Sequence, residues 1–352
     1  MIQPPTRPHR LAIGSILVLT FILSACTTPA TSTPTGASAP AVTSPPAPAA
    51  SQNLGKITVG LAVAKTFEFL PAYAAEEMGV WKRRGLDVEI TTFAGDARLM
   101  QAFAAGGADV GLTAISGLVS AAEKGGLDAR MVAAISNSVQ LMGLAVHPSI
   151  VSTADLRGKT LGATSPNAIT DVLIKYLSKQ LTGDPEQGIK RAHLGAYENQ
   201  VAALKTGQTQ GFVWTLDGVF LAEKQGVGKY LLSFGDEFPD YTFETVVASK
   251  HLIDQRPEAL RAFLEGFYEA LARIKTDKDY TVDLFERKME VPKDVGARVW
   301  EVDAKALVED GAVSEKALQT ALQSLVEAGV ISQAPPRDRW LDARFVPVRG
   351  RS

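Results

Sequence analysis

One cysteine, Cys26, is the only thiol in a chain of 352 residues. An internal disulfide is therefore impossible, and a zinc cluster of the cysteine-rich kind is excluded with it. The four histidines, His9, His147, His193 and His251, show no paired metal-ligand spacing, and neither a phosphate loop nor a nucleophile elbow occurs. A charge excess of either sign is missing too. A formal net charge of −2 leaves no basic excess to attract nucleic acid or an anionic membrane. Beyond residue 23 no run approaches the ~18 apolar residues that a membrane-crossing helix needs. Residues 27–52 lack both charge and aromatic rings, holding only Thr, Pro, Ala, Ser, Gly, one Val and a closing Gln. Such a stretch cannot bury a core and is expected to stay extended.

What stands in front of that stretch explains the thiol. Arg7, His9 and Arg10 precede the apolar run LAIGSILVLTFIL at residues 11–23, and Ser24 and Ala25 then supply small side chains. This is the layout of a secretory signal. Leu23-Ser24-Ala25-Cys26 resembles the lipobox of bacterial lipoproteins, which implies cleavage before Cys26 and acylation of its thiol. The expected organisation is a signal peptide over 1–26, a linker over 27–54 that reaches up to ~80 Å at ~3.1 Å per residue, and an exported, lipid-anchored body beyond it.

The body alternates strand and helix patterns: KITVGLAV, a helix from Pro71, LDVEITTF, a helix through Leu99 and Phe103, ADVGLTA, a helix ending at Gly125, then MVAAI. This is a parallel α/β rhythm. It is also doubled. GADVGLTAISGLVSAAEKGG from Gly107 lies over GQTQGFVWTLDGVFLAEKQG from Gly207, with Gly107, Gly111, Val119, Ala122, Glu123, Lys124 and Gly126 repeated at positions 100 residues later. GKITVGLA at Gly55 is echoed by GKTLGATS at Gly158. Two lobes on one plan are expected, the first over 55–145 plus 246–352 and the second over 146–245. QLMGLAVHP and TFETVVAS read as the two extended crossings of a hinge centred near Leu144 and Val246, and the helical segment from Pro257 as packing on the first lobe.

FLPAYAAEEMGVWKRRGLDVEITTF followed by AFAAGGADVGL, DLRGKTLGATS and AALKTGQTQGFV resembles the solute-binding proteins of ABC importers for nitrate, sulfonates and thiamine precursors, over about residues 57–340. The resemblance implies a type II periplasmic-binding-protein fold, α/β, with two lobes joined by a two-strand hinge. It implies ligand capture by lobe closure and delivery to a membrane permease and its ATPase, with no cofactor, no catalysis and a monomeric state. A non-transport enzyme of the same fold, of the thiamine-precursor or menaquinone-synthesis type, and a ligand receptor for a membrane sensor are the alternatives.

Open parallel sheets bind ligands at the carboxyl ends of their strands. On that ground the candidate contacts in the first lobe are Thr66, Phe67, Phe69, Asp96, Thr113 and Ser116. In the second lobe they are Thr164, Ser165, Asn167, Trp214, Thr215 and Asp217, with Tyr241 beside the return crossing. Helix capping is the competing role for Asp96, Ser116, Thr164, Ser165 and Asn167, and core burial for Phe67, Phe69 and Trp214. No arginine falls on these loops, which disfavours a guanidinium-clamped anion and suits a flat organic molecule held by rings, hydroxyls and amides.

Overall fold

A computed structural model describes residues 53–349. Cys26, the expected signal peptide and nearly all of the expected linker lie outside the described residues. Among those described, no helix is long and apolar enough to cross a membrane.

The first half contributes β1 (Gly55–Leu61), α1 (Leu70–Glu77), α2 (Val80–Arg83), β2 (Leu86–Thr92), α3 (Asp96–Ala104), β3 (Val110–Ala114), α4 (Ile115–Lys124) and β4 (Ala129–Ala134). There follow β5 (Met142–Val146), β6 (Thr160–Ala163), α5 (Ile169–Thr182), β7 (Lys190–His193), α6 (Tyr197–Lys205), β8 (Gly211–Thr215), α7 (Leu216–Lys224) and β9 (Lys229–Ser233). The chain closes with β10 (Glu244–Ser249), α8 (Lys250–Gln255), α9 (Pro257–Thr276), α10 (Lys278–Met289), α11 (Lys293–Ala306) and α12 (Glu315–Glu327).

The sequence echo has a structural counterpart. One sheet runs β2-β1-β3-β10-β4 and the other β7-β6-β8-β5-β9, so that each strand of the first has a partner at the same place in the second. In both, the echoed segment is a strand that passes directly into a helix, β3 into α4 and β8 into α7. The sheets are mixed rather than parallel throughout. β10 pairs antiparallel with β3 and β4, and β5 pairs antiparallel with β8 and β9.

That insertion moves the crossings. Leu144 and Val246 are fully buried in interior strands rather than at a hinge. Their runs, MGLAV and VVA, are apolar on both faces, as a strand covered by helices on each side must be. The connecting segments are residues 135–141 and 234–243. They run side by side, with the amides of Tyr241 and Phe243 donating to the carbonyls of Asn137 and Ser136 at 3.1 Å each.

Behind the first sheet, α9 seats α1 and α2. Trp81 stacks on Phe263 with ring centroids 5.1 Å apart and donates its indole N–H to the Phe263 carbonyl. Gly266 makes this approach possible, since a Cβ there would stand 2.4 Å from the Trp81 ring. The helical segment is not confined to the first sheet, however. α11 also packs on α7, and α12 on α5. Arg298 of α11 bonds Glu223 of α7 at 2.8 Å while its guanidinium lies 3.5 Å over the Phe220 ring.

Candidate functional site

β1 and β3 end at Leu61 and Ala114, and β6 and β8 at Ala163 and Thr215. Because β10 and β5 run the other way, their first residues sit at the same edges: Glu244 opposite Ala114, and Met142 opposite Thr215. Between the two edges lies a cavity of about 30 Å³. Its wall takes Ala62, Thr66, Asp96, Ala114 and Glu244 from the first sheet's side, and Met142, Thr164, Thr170, Trp214 and Thr215 from the second's. Phe243, the last residue of the return crossing, joins them. A water needs roughly 10–15 Å³, so the space admits one or two.

The structure thus brings together Thr66, Asp96, Thr164, Trp214 and Thr215 of the expected residues. It sends the others elsewhere. Phe67 and Phe69 are fully buried, and Phe67 meets Phe285 of α10 edge-on at 5.7 Å, because the turn after β1 carries it into the core rather than to the cavity. Thr113 donates its hydroxyl to Asp96 at 2.6 Å and so acts on the wall from behind it. Ser116 is buried inside the first turn of α4, and Ser165 is buried beside the cavity without lining it. Asn167, with a left-handed φ of 65°, lines a separate groove of about 310 Å³ against α3 and α4. Tyr241 is fully buried and bonds Ser324 of α12 at 3.0 Å, which fixes the crossing to a helix. None of the helices that begin here, α3, α4, α5 and α7, carries a side-chain cap on its N-cap residue.

The electrostatics centre on five buried carboxyl groups, Glu68, Asp96, Asp217, Glu244 and Asp303. Burial pushes Glu68 up to about 8, with the Asp217 charge adding to it, and burial likewise pushes Asp217 up to about 7. Glu244 is held well above the ordinary carboxylate range by burial and by its neighbours Glu68 and Asp96. Asp303, on α11, is raised by burial, Glu68 and Asp217. Asp96 is raised by burial against the pull of the Thr113 hydroxyl and the Ala114 amide. Both carboxyl oxygens of Glu68 and of Asp303, and Oε2 of Glu244, lack a hydrogen-bond partner within the protein.

Glu68, Glu244 and Asp303 were not among the residues expected from sequence. A signal was present in two of them: an acid between two aromatic rings in FEF, and another inside the apolar run TFETVV. Among the described residues, no group of three or more His, Cys, Asp and Glu is disposed to hold a metal ion.

A family profile described as NMT1/THI5 like matches residues 66–278. The YtlA protein of Bacillus subtilis is 22% identical over 221 residues, which is 62% of this chain and 66% of that relative, so the chain spans just under two thirds of its length. The riboflavin-binding protein RibY of Chloroflexus aurantiacus is 24% identical over 277 residues, 78% of this chain and 76% of the relative. Among solved structures, the alkanesulfonate-binding protein SsuA of Xanthomonas axonopodis pv. citri, bound to MOPS, superposes with a TM-score of 0.68 at 15% identity, covering 82% of this chain and 96% of that one. The two-sheet architecture is the type II periplasmic-binding-protein fold.

Proposed function

Since the chain belongs to the NMT1/THI5-like family, we propose that it is the solute-binding protein of an ABC importer, capturing a small organic molecule between its lobes and handing it to a membrane permease. The observation that carries this reading is the cavity at the facing strand ends, walled by both sheets. Solute sites in open α/β sheets form at this edge. With the wall divided between two sheets joined by two adjacent crossings, parting of the lobes exposes every wall residue at once. Closure then buries the solute on all sides. In this reading the first lobe is 55–134 plus the chain from 244 onward and the second is 142–233, so the boundaries expected at 145/146 and 245/246 shift outward and the moving joint lies in residues 135–141 and 234–243 rather than in β5 and β10.

The anchor belongs to the same proposal. Acylated Cys26 would hold the protein at a membrane, facing the periplasm or the cell exterior, while the linker lets the body reach the permease as a monomer.

Gentle purification followed by native mass spectrometry tests the reading directly, because a tightly held solute stays bound. Riboflavin belongs in the panel of added solutes on account of RibY, and a molecule of that size requires the lobes to part, since the cavity holds only about 30 Å³. A true solute at a hundredfold over its Kd stabilises the fold by about 2.7 kcal/mol and narrows the scattering profile. Chemical conversion of the bound molecule would point to an enzyme instead.

A further inference from the structure

We infer that the cleft selects an organic cation, a flat molecule presenting a protonated amine or amidine group to Glu244 and Glu68, and that it rejects anions such as sulfonates. The inference rests on the solute-binding reading and names the class of solute.

The first ground is what the wall lacks. Among the described residues that line the cavity there is no Lys, Arg or His, while two are acids, Asp96 and Glu244. An anion buried there would have no opposite charge to meet. Taking an ion out of water without such a partner is strongly unfavourable.

The second ground is the state of the helix starts, the other place where a buried anion finds donors. The first amide of α4, at Ile115, already donates to the Phe243 carbonyl at 2.9 Å, and that of α7, at Leu216, to the Leu141 carbonyl at 2.7 Å. The first turns of α3 and α7 also carry their own acids, Asp96 and Asp217, whose carboxyls face the local amides. At α4 and α7 the first amide is taken before a ligand arrives, and at α3 and α7 an acid already occupies the first turn.

The third ground is unmet acceptor capacity. Glu244 lines the cavity at 5% exposure with Oε2 unpartnered, and Thr66, also on the wall at 1% exposure, has an unpartnered hydroxyl. Two residues beyond Thr66 and not itself on the wall, Glu68 has both oxygens unpartnered at 0% exposure. A carboxylate left so is costly, and a charged N–H donor is the group that satisfies it most strongly. Trp214, Phe243 and Met142 give the same space apolar and aromatic sides, which a flat ring covers and a hydrated ion does not.

Glu68 is faced by Asp217 of α7, Glu244 of β10 and Asp303 of α11, and Glu244 by Glu68 and Asp96. All of these are acids. A cation entering this group displaces protons from it, so binding should release protons to the buffer.

The test uses full-length processed protein, unfolded and refolded to strip any bound solute, titrated calorimetrically with two probes of one shape and opposite charge: benzamidinium and benzenesulfonate. The expected result is at least about tenfold tighter binding of benzamidinium, with proton release seen as a dependence of the heat on buffer ionisation. Glu244→Gln should remove that preference, and Glu68→Gln should reduce the proton release with the fold intact by circular dichroism. Equal or tighter binding of benzenesulfonate overturns the inference, as does failure of both probes to bind, or benzamidinium affinity unchanged in Glu244→Gln. Native mass spectra of the unstripped protein separate this failure from that of the underlying reading. A co-purified anion would sink the cation assignment and leave solute binding standing, whereas conversion of the bound molecule would sink solute binding itself.

Discussion

Trp214 stands directly opposite Gly143 across the antiparallel pair of β8 and β5. In the other sheet the corresponding rung, one in from the edge, sets Thr113 opposite Thr245. The indole is therefore peculiar to the second lobe, and it lies on the cavity wall. Trp214 is only 3% exposed and also meets Tyr197 edge-on at 5.5 Å, so it serves the lobe core and the wall together. Trp214→Ala is expected to destabilise the ligand-free fold by ~3–5 kcal/mol. Trp214→Phe should keep most of that stability and still weaken solute binding. Thermal melts and titrations on the two variants check this, and a Trp214→Ala protein as stable as wild type would remove the ring from the core.

The pairing of Arg298 with Glu223 and Phe220 joins α11 to α7 across the two lobes. Both ends of the ion pair are substantially exposed, so solvent screens it and its worth is at most about 1 kcal/mol, the ring contact included. Arg298→Ala should speed solute release by up to ~5-fold with little effect on the melting of either lobe. Added salt should produce the same trend in wild type and a smaller one in the variant. Stopped-flow release rates at two ionic strengths decide the matter; equal rates throughout would deny the pair any part in closure.

Burial of Glu68 makes a signed prediction about pH. Its carboxyl rises from an ordinary 4.5 to about 8 in the fold, so the folded chain binds the proton more tightly than the unfolded one. Stability from this group is fully present below about pH 4.5 and is lost as pH climbs through 8. Surface carboxylates such as Glu77 and Glu315, held low by Arg287 and Arg337, act in the opposite sense at acid pH. The clean observable is therefore a difference. Glu68→Gln should gain on wild type between pH 5 and 8, by ~1–3 kcal/mol at the upper end. A difference that stays level over that range would show the carboxyl to be better satisfied than its surroundings indicate.

Cys26→Ser tests the anchor. Wild type expressed in a bacterial host should incorporate labelled fatty acid and partition with membranes, and the variant should do neither. Equal labelling of the two would end the lipoprotein proposal.

The strands and helices of the body were legible because their signals are local. Pro71 lies in the first turn of α1, Gly125 ends α4 at a φ of 79°, and the echo at 107 and 207 marks one strand–helix unit used twice. The placement of β5 and β10 was not legible. MGLAV and TVVAS read equally well as extended crossings, and only pairing with β8 and β3 makes them interior strands. The site divides along the same line. Thr66, Asp96, Thr164, Trp214 and Thr215 follow from being near strand ends. Glu68 and Asp303 escape that rule, since an acid in the turn before α1 or on α11 would be expected in water until the packing of α11 against that turn and α7 encloses it.

The strand orders carry a consequence for how the chain is made. Every strand of the second sheet comes from one unbroken segment, residues 142–233, whereas β4 has no strand to pair with until β10 is inserted between it and β3. A chain emerging from its N-terminal end can therefore complete the second lobe while the first still waits with an open edge, exposed to mispairing. Pulse-labelled hydrogen exchange during refolding should protect the amides of β5 to β9 ahead of those of β4. The lobe encountered first in the sequence is, on this topology, the last to become whole.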